Sequence, residues 1–89
     1  MGITVYAYEV QPGTSQPTGF GSSLDDVVRE LRHVRAEIAR DEGSEVPPSS
    51  VIAFDMLKPD LDQLFAVLNG DANLCDLILR NKRVVQAVL

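Results

Sequence analysis

Apolar positions recur along this chain in two rhythms, and the change from one to the other marks its elements. Between Ile3 and Glu9 the run Ile-Thr-Val-Tyr-Ala-Tyr-Glu is β-branched and aromatic with no breaker. Such a run suits a pleated surface packed on both sides and predicts a first strand. Gln11 to Gly21 then brings Pro12, Gly13, Thr14, Ser15, Pro17 and Gly19. Their fixed or permissive backbone angles favour turns, so this segment reads as a loop, with Phe20 anchoring its far end. From Leu24 the period lengthens: Leu24, Val27, Val28, Leu31, Val34 and Ile38 recur at spacings of three and four, which is one stripe of a helix. Ser22 or Ser23 can cap it, Asp25 and Asp26 place negative charge against the first-turn amides, and Gly43 offers a left-handed stop. A long helix over about 24–42 follows.

Pro47 and Pro48 force an extended connector, after which Val51 to Leu57 is an apolar run too short for a typical helix and is read as a second strand. Pro59 suits a helix start, Asp60 and Asp62 suit a first turn, and Leu61, Leu64, Phe65 and Leu68 form a short stripe closed by Gly70. The tail is ambiguous between one helix and a helix followed by a strand. Val84, Val85 and Val88 lose side-chain freedom in a helix, which favours a helix over about 72–80, capped by Asp71, and a third strand over about 83–88. The expected architecture is one α+β domain over residues 1–89: a small three-stranded sheet with one long and two short helices, in the order strand, long helix, strand, two short helices, strand. With the helices on one sheet face, the apolar residues on the other side of the strands would stay uncovered, which points to self-association or a dedicated partner.

Composition sharpens this picture. The 89 residues carry a formal charge of −5, which argues against direct nucleic-acid binding because phosphate neutralisation needs clustered Lys and Arg. The charge is unevenly spread. Eight carboxylates between Asp41 and Asp76 face Lys58 alone, a local balance of −7, whereas Arg29, Arg32, Arg35 and Arg40 gather on the long helix and Arg80, Lys82 and Arg83 near the end. Cys75 is the single cysteine, so no internal disulfide forms and a reducing cytoplasm is the expected compartment. No leader opens the chain, and stretches such as Val51 to Phe54 fall far short of the roughly 20 apolar residues of a membrane span, so no membrane association is expected.

The chemistry-bearing residues are sparse. His33 and Cys75 are single copies and could form a nucleophilic pair only if the fold joined them. His33 lies off the helix stripe and is expected in solvent, and Cys75, among Leu74, Leu77 and Ile78, is expected to pack as a small hydrophobe. One His and one Cys exclude the common zinc patterns, Asp60 and Asp62 read as helix-start charges, and the glycines at 13, 19 and 21 match no phosphate-binding loop, so no metal and no cofactor is expected. Tyr6 and Tyr8 alternate on one face of the first strand, where covering core is the common fate and lining an interface the rarer one. The arginine stripe at Arg29 and Arg32 could meet an acidic partner, although Asp25 and Glu37 stand where they could satisfy Arg29 and Arg40 locally.

The leading expectation is therefore a non-enzymatic acidic protein-binding module, an inhibitor or regulator docking an acidic surface or open sheet edge onto a partner protein, and forming a homodimer. Its candidate interface residues are Asp60, Asp62, Tyr6, Tyr8, Arg29 and Arg32. The competing expectation is a minimal enzyme or ligand-binding subunit with a site at a dimer interface, built from Tyr6, Tyr8, His33 or Asp55. A cleft lined by those side chains would favour it.

Overall fold

In the computed structural model, which describes residues 3–13 and 16–89, the N-terminal apolar run forms β1 (Ile3–Glu9) and folds back onto β2 (Thr18–Gly21). The segment around β2 was expected to be only a loop. Glycine and proline carry little strand propensity, and it is the pairing with β1 that creates the strand: Tyr6 stands opposite Gly21 and Tyr8 opposite Thr18. Gly19 makes the hairpin possible, since its φ of 65° lies in the left-handed region and a Cβ there would overlap the Tyr8 ring. Thr14 and Ser15, also assigned to that loop, lie outside the described residues.

The long helix α1 (Leu24–Glu42) has the expected bounds. The Ser23 hydroxyl accepts from the Asp26 amide at 3.3 Å, and Gly43, at φ 68°, donates its amide to the Ala39 carbonyl at 2.8 Å. Val27 and Leu31 are buried, and Leu24, Val28 and Val34 pack half-buried beside them. β3 (Ser49–Met56) follows the proline connector, then α2 (Leu61–Leu68), α3 (Leu74–Ile78) and β4 (Leu79–Val88). The helix-then-strand reading of the tail is correct in kind, but the boundaries differ. The α3 cap is Asn73, whose side chain accepts from the Cys75 amide at 2.9 Å, instead of Asp71, and β4 starts at once after a single helical turn.

The sheet is four-stranded and antiparallel, in the order β2-β1-β3-β4. Its first face packs on α1 through Tyr8, Val51 and Val88, with Tyr6 and Val10 at the margin. The other helices do not share that face: α3 packs against β4, and α2 against α3. The reverse face is not bare either. Ala7, Ile52 and Phe54 are buried there with Val5 and Leu79 packed on them, and Phe20 tilts over Phe54 with ring centroids 6.2 Å apart. Lys82 reaches the nearly buried Glu9 carboxylate at 3.3 Å. β4 carries two register shifts against β3, each with one extra residue on β4, which increase twist and bend that strand, and Val84, opposite Ile52, stays exposed.

One side-chain cluster ties α1 to the sheet. Arg35 Nη1 donates to the Pro47 carbonyl at 2.6 Å and to Ser49 Oγ at 2.7 Å, and Nη2 donates to the Val46 carbonyl at 3.2 Å. Ser49 Oγ in turn donates to the Val10 carbonyl at 2.7 Å. Arg35, counted from the sequence among the surface bases, is thus committed to holding the proline connector.

Candidate functional site: an exposed helix face

The α2 helix is well formed by its own chemistry. The Asp60 carboxylate accepts from the Gln63 amide at 2.8 Å while the Gln63 side chain accepts from the Asp60 amide at 2.9 Å, a reciprocal capping box. At the other end Gly70, at φ 78°, donates to the Val67 carbonyl at 3.1 Å and Asp71 donates to the Ala66 carbonyl at 2.8 Å, the paired bonds of a Schellman ending. Both ends of the helix are thus satisfied, and Gln63, Ala66 and Val67 are half-buried on its inner side.

Little packing is what the helix receives, for none of its residues is buried. The apolar stripe expected to face the core points outward: Leu61 is 64% exposed, Leu64 38%, Phe65 50% and Leu68 79%. Leu57 and Leu74, on the flanking segments, are exposed as well. Isolated surface leucines are ordinary, but apolar positions at i, i+3, i+4 and i+7 on one helix face form the anchor pattern of helix-mediated recognition. Asp62 within α2, Asp71 just after it and Lys58 just before it are all exposed.

The residues singled out from the sequence scatter. Asp60 is consumed by the capping box, and Asp62 lies exposed in the first turn of α2. Tyr8 is buried under α1 and covers core, and Tyr6 packs beside it half-buried. Burial raises the Tyr8 phenol above its ordinary pKa, and the Glu30 carboxylate raises it further. Arg29 pairs with Asp26 at 3.3 Å, not with the Asp25 proposed from spacing, and Arg32 stays exposed on the outer side of α1. Glu37 pairs with His33 at 3.1 Å, while Arg40 stands 4.0 Å from Asp41. Asp55 accepts from Asn81 at 2.7 Å and from Arg83 at 3.2 Å. The Asn81 bond is the main cause that lowers its pKa, with the Arg83 bond and charge adding to it and partial desolvation opposing.

Of the clefts among the described residues, two stand out, and none of Tyr6, Tyr8, His33 and Asp55 lines either. One, of about 400 Å³, opens on the reverse sheet face, with Phe54, Phe20, Leu79 and Lys82 in its lining and α3 supplying Cys75 and Asp76. Cys75 is exposed, contrary to the expectation that it packs as a hydrophobe, because α3 is too short to turn a second face inward. His33 sits on α1 across the sheet, so the two do not form a nucleophilic pair. Among the described residues no group of three or more His, Cys, Asp or Glu side chains is placed to hold a metal ion, and no helix is long and apolar enough to cross a membrane.

Fold and surface together define a small α+β domain that carries an exposed amphipathic helix beside its sheet. No protein-family model matches the chain, and no curated protein and no solved structure matches it.

Proposed function

We propose that this chain is a non-enzymatic protein-binding module of the inhibitor or regulator kind, and that it engages partner proteins through the apolar face of α2. The observation that carries this reading is the outward stripe Leu61, Leu64, Phe65 and Leu68 on a helix with a cap at each end and no buried residue. A helix already formed and capped at both ends meets less ordering cost on binding than an unstructured segment would. The acidic residues around it favour a partner groove rimmed with Lys or Arg, where complementary charge speeds encounter. The competing reading, a site formed at a dimer interface, would have to be assembled by a second copy, since Tyr6, Tyr8, His33 and Asp55 line neither of the two clefts described.

A photo-crosslinking amino acid placed at Leu64 or Leu68, and in parallel at Arg32 on the outer side of α1, tests the reading in the cell of origin. The expected result is one protein captured from both α2 positions and not from α1, whose affinity for the purified chain falls at least tenfold on Phe65→Ala. Capture that is equal from all three positions, or affinity indifferent to Phe65→Ala, overturns the assignment.

A further inference from the structure

We infer that the exposed face of α2 also binds a second copy of this chain, in an antiparallel twofold pairing of α2 on α2. This rests on the reading of α2 as the recognition face and adds a competitor for it. A twofold interface requires a patch complementary to itself, in which residue i meets j and j meets i. The α2 stripe meets that condition about a centre between Leu64 and Phe65: Leu61 falls opposite Leu68 of the other copy and Leu64 opposite its Phe65. The charges obey the same symmetry. Lys58 lies two residues before the N-cap Asp60, and Asp71 two residues after the C-cap Asn69, so the antiparallel arrangement brings Lys58 beside Asp71 at both ends. Lys58 is the single base in the acidic stretch between Asp41 and Asp76, and both Lys58 and Asp71 are exposed.

The sheet edges offer a poorer route. β2 is only four residues long, and β4 is interrupted by two register shifts and by Asn81 at φ 56°, devices that bend an edge away from a neighbouring strand. An eight-residue helix is about 12 Å long, so the paired face is smaller than the roughly 800 Å² per partner of a standard stable interface. The dimer is accordingly weak and exchanging, and a partner protein for the same face displaces it.

Sedimentation equilibrium of the full chain from low micromolar to about 1 mM tests the inference. The average mass is expected to rise from monomer toward dimer over that range, with a dissociation constant of order 10–1,000 µM. Leu68→Ser, at the most exposed stripe position, is expected to hold the protein monomeric throughout while its melting curve is unchanged. Lys58→Asp and Asp71→Lys are each expected to weaken the dimer several-fold, and the double exchange to restore it, which only an antiparallel α2 pairing explains. A monomeric mass at every concentration overturns the inference, as does a dimer insensitive to Leu68→Ser or a double exchange without rescue. Crosslinked capture of another protein from α2 by a chain that stays monomeric would leave the proposed function standing and remove only this pairing.

Discussion

Ser49→Ala is the sharpest test of how the sheet is fastened to its helix. Ser49 is 1% exposed, and its hydroxyl both accepts from Arg35 and donates to the Val10 carbonyl, each at 2.7 Å. Removing it leaves the Val10 carbonyl without that donor, at a cost of about 1–3 kcal/mol for a poorly solvated acceptor. The Arg35 side loses less, because the guanidinium keeps the Pro47 and Val46 carbonyls, and about 0.5–1 kcal/mol covers that loss. The sum, about 1.5–4 kcal/mol, is a large share of the roughly 5–15 kcal/mol that stabilises a typical domain. Urea melts of wild type, Ser49→Ala, Arg35→Ala and the double variant measure it directly. We expect an unchanged slope, a lower midpoint for Ser49→Ala, and a coupling energy of at least about 0.5 kcal/mol between the two positions. A loss under about 0.5 kcal/mol for Ser49→Ala, or strict additivity in the cycle, would refute the claim that this hydroxyl links α1, the proline connector and β1.

Leu31→Ala, at a fully buried position, is expected to cost about 2–5 kcal/mol, whereas Arg32→Ala on the exposed side of α1 stays within about 0.5 kcal/mol, both read from denaturant midpoints. Gly19→Ala is expected to destabilise by about 1–3 kcal/mol, since it combines a left-handed backbone with overlap on the Tyr8 ring, and in a double-variant cycle its loss and that of Tyr8→Ala should combine to less than the sum of the two. The lowered pKa of Asp55 contributes stability that is present above the unfolded carboxylate value of 3.8 and disappears as pH falls through the folded value, so Asp55→Asn should flatten the acid limb of a stability profile below about pH 4. The raised Tyr8 phenol acts at the other end: its contribution is present below the unfolded value of 10.0 and fades as pH rises through the folded one, so Tyr8→Phe should retain stability above pH 10 that wild type loses.

What could be read from the sequence was whatever local chemistry decides. α1 has both its ends written in side chains, Ser23 and Gly43, and a stripe six residues deep, so its bounds match. β1 and β3 are apolar enough to declare themselves. β2 was hidden because its four residues include two glycines, and its reason for existing is the Tyr8 ring on another strand. The acidic start of α2 was legible as a helix start, but a stripe of four apolar residues looks the same whether it meets core or solvent. The sequence reading looked for the unpartnered surface on the sheet, where Ala7, Ile52 and Phe54 are buried but Ile3, Phe20, Val84 and Val85 stay exposed, and a second apolar surface lies on α2. Pairing by spacing failed for Arg29, where three residues of separation won over four.

The absence of any buried residue in α2 has a bearing on how such a chain can change over generations. The side chains that hold the fold, Leu31, Val51 and Ile52 among them, belong to α1 and the sheet, while those offered outward belong to a helix secured by Asp60, Gln63 and Gly70. If the proposed binding role holds, substitutions at Leu61 and Leu68, the most exposed positions of the stripe, would alter recognition at little cost to the fold, whereas Leu64 and Phe65 are partly covered and serve both. Most binding surfaces trade stability for specificity because the same residues serve both. Under the proposed role the two would be borne largely by different segments, and a lineage could change the exposed ends of this helix while the sheet behind it stayed as it is.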